Sequence, residues 1–380
     1  MAPVTNPPPP GNWGPPQPGP QPPYAQGQPP YGPPGQWPAQ QGWGPPPQPP
    51  KNNSLKWLLI GVAVLLVIAI TIGATLLFTR DGGDGGPPTA TGTPPAAGDI
   101  ASANDTGPVG IITEDPTCDP WRPINAAVKA KQDQGWAHRD YSIPADAWTP
   151  ETHLMHEEMA QELVRAADQT VALAKMTPHR IMRELYEQTI AYWRAYADSI
   201  PTYSERDNSL AVVASNTSGA LVTICASISQ NAAATRGPLV TPGEPPSNLN
   251  HIGDPANPTP FLSTTKAKFC DDWDKATAKF EDDTAARREI DPAISSTDWT
   301  PEQRAVMDKA ASRMSDFGDE LVSISEKSDN SVVEDFASLS AQYWRAFAGA
   351  IPTYTTADSY LSATAANAYL IVYNACRATG

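Results

Sequence analysis

The stretch YWRAYADSIPTY at residues 192–203 decides the fold, because it returns as YWRAFAGAIPTY at residues 343–354. Upstream, WTPE at residues 148–151 returns as WTPE at residues 299–302, at the same offset of 151 residues. A register kept over such distances indicates a tandem duplication. The chain from residue 113 onward therefore contains two copies of one structural unit.

Each copy has the apolar period of a helix. Apolar residues from Met155 to Leu173 are spaced by three or four, and the same steps recur from Val306 to Ile324. Thr149 and Thr300 are suited to cap these helices, since each is followed by a proline that fits the first helical position.

A shorter helix is expected before this one, and two more are expected after it. The second of the long helices must end near Ile200 or Ile351, because the next residue is proline. The third begins near Asp207 or Asp358. The prediction is an all-α fold with two tandem four-helix modules, at residues 113–230 and 263–380.

Four cysteines permit three pairings, and the duplication selects one of them. A bond that closed the single ancestral unit must lie within each copy. We therefore predict the disulfides Cys118–Cys225 and Cys270–Cys376. Because each bond closes its own module, the two modules are expected to behave as separate domains.

Residues 55–79 are predicted to form a single transmembrane helix. The run from Trp57 to Thr79 carries no charge, and at ~1.5 Å per residue it can cross a ~30 Å hydrocarbon core. Lys51 and Lys56 precede it, and all four cysteines follow it. Both features predict a type II topology, with the N-terminus in the cytoplasm and the modules outside the membrane.

The remaining segments have the composition of connectors. Residues 1–50 hold 21 of the 43 prolines and no charged residue, which predicts a disordered cytoplasmic tail. This tail is either a docking segment for a cytoplasmic partner or a solvated spacer. Residues 80–112 are expected to be a flexible stalk, and residues 231–262 a Pro-rich linker.

The charge and the motifs exclude several classes of function. After Thr79, 24 basic residues stand against 41 acidic ones, a net charge of −17 that argues against a nucleic-acid partner. No phosphate-binding loop, Gly-x-Ser-x-Gly or Cys-x-x-Cys occurs, so neither an enzymatic activity nor a cofactor or metal is predicted. His153 and His156 lie one turn apart, a spacing that can hold a metal, but we interpret them as solvated surface residues.

One set of residues that could bind a ligand recurs in both copies. It comprises Trp148, Trp193, Arg194, Tyr203 and Asp207, with Trp299, Trp344, Arg345, Tyr354 and Asp358 as counterparts. Aromatic faces, a cation and a carboxylate can form a pocket for a sugar, a peptide or an anion. They can equally fill a core, which is the interpretation we favour. For Arg194, we expect the guanidinium to return along the helix end to Asp207 and the Ile-Pro-Thr-Tyr turn at residues 200–203, which we call the corner turn. The alternative is that it faces outward to a partner.

The layout resembles the proline-rich single-pass membrane proteins of mycobacteria and related actinobacteria. The resemblance rests on the Pro/Gly/Gln/Tyr/Trp tail, the apolar span and the acidic exterior with paired cysteines. It implies a cell-membrane protein that contacts the lipid bilayer through one span.

The predicted function is a non-enzymatic cell-envelope protein whose outer modules bind a protein partner or an envelope component. The alternative is a transmembrane sensor or regulator with a small-ligand pocket, and an envelope hydrolase comes third. A ligand pocket lined by Trp193 and Arg194 would favour the sensor. A solvent-facing apolar patch would favour the protein-binding module.

Overall fold

The computed structural model describes residues 100–246, 249, 252–262 and 267–379, all within one compact unit. In these residues the regular structure is helical, as predicted, with four helices in each copy and one short helix between the copies. They are α1 Cys118–Gln132, α2 Pro150–Met176, α3 Arg180–Ser199, α4 Asn208–Ser229, α5 Ala232–Arg236, α6 Cys270–Asp283, α7 Pro301–Ser325, α8 Ser331–Ala350 and α9 Ser359–Thr379.

The longest helix of each copy begins where the sequence predicts. α2 starts at Pro150, and the hydroxyl of Thr149 accepts the N–H of Thr152 at 3.2 Å. α7 starts at Pro301, where Thr300 and Gln303 form a capping box. These caps satisfy N–H groups that the first turn of a helix leaves without a helical partner.

The repeated Ile-Pro-Thr-Tyr sequence at residues 200–203 and 351–354 forms the same corner turn in both copies. After α3, Ile200–Thr202 make one 3₁₀ turn, and a capping box between Ser204 and Asp207 leads into α4. After α8, Ile351–Thr353 and a box that ends at Asp358 lead into α9 in the same way. Proline ends the first helix of each corner, and the capping aspartate starts the next one.

Both predicted disulfides are confirmed. Cys118–Cys225 ties the start of α1 to the end of α4, and Cys270–Cys376 ties α6 to α9. The bonds close loops of 107 and 106 residues. Closing a loop of about 100 residues stabilises the folded chain by up to ~4–5 kcal/mol in the chain-entropy model.

The two copies are not separate domains. The equivalent helices α4 and α9 make the most extensive helix–helix contact of the described region. The hydroxyl of Thr364 donates to that of Thr223 at 2.9 Å, and the missing side chain of Gly219 leaves room for Asn367. The expectation of separate behaviour is wrong, because the helix rich in small residues packs on its own counterpart.

The segment before the first copy is packed against both copies. Residues 100–112 were expected in the flexible stalk, but the buried guanidinium of Arg180 donates to the carbonyl of Asp105 at 2.8 Å. The N–H of Ile112 donates to the hydroxyl of Tyr343, in the second copy, at 3.2 Å. Buried donors need acceptors, and the main chain of this segment supplies them.

The Pro-rich linker is likewise packed where it is described, instead of merely connecting the copies. The ring of Phe261 lies between Tyr192 of the first copy and Phe336 of the second, with centroids 6.0 and 5.6 Å away. The main chain of Leu262 hydrogen-bonds the hydroxyl of Tyr192. Tyr192 and Tyr343 are equivalent, so the segment before each copy reaches the same tyrosine of the other copy.

A buried ion pair crosses the contact between the copies. Arg180 of α3 forms two hydrogen bonds with the carboxylate of Asp335 of α8, at 2.8 and 3.0 Å. Glu184, the counterpart of Asp335, is buried beside it, and burial together with the charge of Asp335 raises the pKa of Glu184 well above its ordinary value. Removing one partner of such a pair costs ~3–5 kcal/mol.

One helix of the described region, Glu205–Ser229, is long and apolar enough to cross a membrane, with a mean hydropathy of 1.5. It consists of α4 and the turn before it, and it is bonded through Cys225 and packed on α9. Its apolar surface therefore belongs to the core. The predicted tail at 1–50, the predicted span at 55–79 and the stalk up to residue 99 lie outside the described residues.

Two glycines test the packing between α7 and α8. A Cβ at Gly318 would lie 2.9 Å from the Cα of Ala341, so we expect Gly318→Ala to lower the free energy of unfolding by about 1–3 kcal/mol. Gly349→Ala is the control, because a Cβ there meets no atom within 4 Å. That variant should gain about 0.5–1 kcal/mol. Denaturant unfolding of the full-length protein measures both, and equal effects would contradict the packing.

Candidate functional site

The ligand-binding set predicted in the first copy divides into separate groups. The buried ring of Trp148 stacks on His156, with centroids 3.9 Å apart, and lies 5.2 Å from the ring of Tyr203. Its indole donates to the carbonyl of Ile143, and the hydroxyl of Tyr203 donates to the carbonyl of Tyr141. These bonds hold the rings in the core beneath the corner, so they do not line an open pocket.

The second copy repeats this arrangement. Trp299 stacks on Tyr354 with centroids 5.3 Å apart, and its indole donates to the carbonyl of Ile294 at 3.0 Å. The hydroxyl of Tyr354 donates to the carbonyl of Pro292 at 2.6 Å. Burial raises the pKa of Tyr354 to about 12, so the hydroxyl keeps its proton near neutral pH.

The tryptophans of the repeated Tyr-Trp-Arg motif lie elsewhere in the core. Trp193 is 2% exposed and stacks on Trp121 of α1, with centroids 5.9 Å apart. Trp344 is 1% exposed and lies 5.2 Å from Phe280 of α6. Both rings fill the contact with the first helix of their copy, and neither offers a face to a ligand.

The arginines of that motif pair with the preceding long helix. Arg194 Nη2 donates to the carboxylate of Asp168 at 2.7 Å, and Arg345 pairs with the equivalent Asp319. The prediction that Arg194 returns to the corner turn is wrong, because its side chain leaves α3 on the side that faces α2. A partly exposed pair of this kind contributes ~0–1 kcal/mol.

The two corner aspartates differ in what they bind. Asp207 accepts the N–H of Ser204 at 2.7 Å, and Asp358 accepts that of Thr355 at 2.8 Å. Asp358 also receives two hydrogen bonds from the guanidinium of Arg236, both at 2.9 Å. Asp358 is buried and Asp207 is half-exposed. Sequence reasoning missed Arg236, because it belongs to α5 and lies outside the repeat.

His156 is buried, so its interpretation as a solvated surface residue is wrong. Its side chain is 1% exposed, and Nδ1 lies 3.3 Å from the hydroxyl of Tyr196. Burial, followed by the charge of Arg139, lowers the pKa of His156 to about 4. The imidazole is therefore neutral at pH 7. Within the described ranges, no group of three or more metal-binding side chains comes together.

A small cavity lies between residues 105–112 and the start of α3. Its volume is about 140 Å³, and His179 and Arg180 form part of its lining. Sites for small molecules measure ~300–1,000 Å³. This cavity is therefore too small for an ordinary metabolite.

Three apolar side chains of α2 face solvent, with exposed fractions between 39% and 55%. They are Leu154, Val164 and Met176, and the second copy has Ala305, Ser315 and Lys327 in their places. At ~100° per residue the three lie within a sector of about 120°, which we call the α2 apolar face. Sequence reasoning missed this face, although a position-by-position comparison of the copies contains the signal.

A groove continues from the α2 apolar face towards the end of α3. It has a volume of about 470 Å³ and is lined by Val164, with Asp168 and Asp198 among its polar residues. An apolar surface with a polar rim is the usual composition of a protein–protein contact. This part of the first copy is the best-defined candidate for a binding surface.

Comparison with known proteins identifies relatives of the chain. Residues 100–380 match the family model described as mycobacterial ESX-1 associated protein. An uncharacterised protein of Mycolicibacterium smegmatis (strain MKD8) is 41% identical over 341 residues, which cover 89% of this chain and 90% of the relative. No solved structure matches the chain.

The buried His156 predicts a pH dependence of stability. Its pKa is about 4 in the folded protein and ~6.5 when unfolded, so its contribution is complete above pH 6.5 and is lost as the pH falls towards 4. Between pH 7 and pH 5 we expect this loss to be about 1–2 kcal/mol.

The variant His156→Met isolates that contribution, because Met307 occupies the equivalent place in the second copy. Urea unfolding of both proteins at the two pH values should show a smaller loss for the variant. The same loss in both proteins would mean that His156 does not titrate as described.

Proposed function

Since the chain belongs to the mycobacterial ESX-1 associated protein family, we propose that it is a non-enzymatic cell-envelope component of the ESX-1 secretion system. In this proposal the described helical region binds a protein partner, and the α2 apolar face with its groove is the contact surface. The tryptophans and tyrosines that sequence reasoning offered as a pocket instead lie in the core.

The α2 apolar face is the observation that carries the proposal. Single exposed apolar residues are normal on protein surfaces, and these three lie about 15 and 18 Å apart along α2, but all three face one sector of the helix. The second copy has Ala305 and Ser315 at two of the equivalent places on α7 and Lys327 just after it, so the fold does not require large apolar side chains there. We infer that these apolar side chains are present to bind a partner, because the shared fold does not require them.

Charge limits what that partner can be. The chain after Thr79 carries a net charge of −17. Electrostatic complementarity then favours a partner whose apolar contact is surrounded by basic residues. A nucleic acid would be repelled by this surface.

We place the described region outside the membrane, with residues 55–79 as a single span and the tail in the cytoplasm. The two disulfides support this location, because such bonds persist in oxidising compartments. In that arrangement the tail contacts a cytoplasmic partner, and the helical region contacts an envelope partner.

The contact surface is tested by giving α2 the side chains of its counterpart. The triple variant Leu154→Ala, Val164→Ser, Met176→Lys should keep its stability within about 0.5 kcal/mol, because the three side chains are exposed. The tagged full-length protein is crosslinked in mycobacterial membranes, and its crosslinked partners are identified by mass spectrometry. We expect the ESX-1 components that crosslink to the wild type to be absent from the triple variant.

Lys309→Ala, an exposed change on α7 of the second copy, is the matched control and should leave the crosslinks unchanged. If the triple variant is crosslinked to the same ESX-1 components in the same yield, the α2 apolar face is not the contact surface.

The topology is tested separately by protease protection. In intact cells stripped of their wall, added protease should degrade the residues after the span and spare residues 1–50. The physical reason is that the positive charge before the span retains the tail in the cytoplasm. Loss of the tail with survival of the helical region would reverse the proposed orientation.

A further inference from the structure

The second copy contains a complete binding site for an arginine. The guanidinium of Arg236 bonds both carboxylate oxygens of Asp358, each at 2.9 Å. It also donates to the hydroxyl of Thr353 at 2.8 Å and to the carbonyl of Thr353 at 3.0 Å. The corner turn after α8 thus supplies four acceptor contacts to one side chain that arrives on the short helix α5.

The first copy presents the same acceptors. Thr202 and Asp207 stand where Thr353 and Asp358 stand, in a corner with the same 3₁₀ turn and capping box. Among the described residues, the partners of the Asp207 carboxylate are the N–H and the hydroxyl of Ser204, both on one oxygen. The other oxygen, Oδ1, is the counterpart of an oxygen that Arg236 binds in the second copy.

Burial differs between the copies at this corner. Asp358 is 2% exposed and Ala350, just before the turn, is completely buried. Their counterparts Asp207 and Ser199 are half-exposed. In the described region α5 packs against α8 and α9 in the second copy.

The cationic side chains nearest this corner are already engaged elsewhere. Arg139 lies with its guanidinium 3.5 Å above the ring of Trp136 and bonds the side chain of Asn208. Arg206 donates to the carbonyl of Ala378 at 3.3 Å. Neither reproduces the bidentate contact that Arg236 makes.

We propose that the corner of the first copy, formed by Thr202 and Asp207, binds an arginine of a partner protein as the second copy binds Arg236. The partner segment is a short helix of small residues that ends in arginine, as α5 does with Ala232 and Ala233 buried against the second copy. This site deepens the proposed protein-binding role and rests on it, since it names the chemistry of one contact.

Arginine is required instead of lysine by the shape of the acceptor set. Two carboxylate oxygens and the hydroxyl and carbonyl of a threonine surround Arg236 in one fork. A planar guanidinium satisfies such a set with several parallel donors, whereas an ammonium group is a single point charge.

The test uses α5 itself as the probe. A fluorescent peptide of residues 230–242, QNAAATRGPLVTP, is titrated into the full-length protein and followed by fluorescence anisotropy. We expect saturable binding that weakens at least tenfold when the peptide arginine is replaced by lysine or alanine. No saturable binding, or equal binding of the three peptides, would overturn the proposal.

Variants of the protein locate the site. Asp207→Asn and Thr202→Val should each weaken binding severalfold, and asparagine retains the capping function of Asp207. Asp308→Asn, an exposed acid of α7 in the second copy, is the matched control and should leave the affinity unchanged. Wild-type affinity in both corner variants would overturn the proposal. A photo-crosslinking version of the peptide should label the corner of the first copy, and labelling of the second copy's corner instead would also overturn it.

This titration can fail independently of the proposed function. It measures the corner alone, so the triple variant of the α2 apolar face should bind the peptide as the wild type does. If the triple variant binds the peptide and also keeps its ESX-1 crosslinks, the corner site is supported and the α2 apolar face is not the contact surface.

Discussion

The packing of α4 against α9 is the constraint on which the rest of the described region depends. Each is the last helix of its copy, and each carries the cysteine that fixes it to the first helix of that copy. Small residues such as Gly219 let the two helices approach closely, so each module buries part of its apolar surface only against the other. An apolar helix that a lone module would expose is thereby buried, which explains how Glu205–Ser229 combines a membrane-like hydropathy with a place in the core.

Once α4 and α9 meet, α3 and α8 also come into contact, and the segments before the two copies pack along that contact. Tyr343 receives the segment before the first copy, and Tyr192 receives the segment before the second. The buried pair of Arg180 with Asp335 crosses the same contact. The two copies and the segments before them therefore form one connected network, which orders residues 100–112 although their composition predicts a flexible stalk.

Local chemistry allowed much of this fold to be predicted, and contacts between distant residues account for the errors. The helix starts, the corners and the disulfides follow from prolines, capping threonines and cysteines in a repeated register. The partner of Arg194 did not follow, because a helical period gives the direction of a side chain but not the neighbouring helix that it meets. His156 was misjudged because its polarity outweighed its place three residues before the buried Met159, although Met307 at the equivalent position already indicated burial.

Because the chain is duplicated, each position of one copy can be compared with its counterpart in the other. The differences distinguish residues that the fold requires from residues that are free to serve binding. A position that is exposed and apolar in one copy but polar in the other cannot be required by the shared fold. Val164 and Ser315 are such a pair. A position that is buried by a neighbouring segment in one copy but only partly buried in the other marks a surface that we propose can accept such a segment, as Asp358 and Asp207 do. Both kinds of difference leave the open surface on the first copy. Among the described residues α5 packs on the second copy, so the contacts we propose with another protein lie on the first.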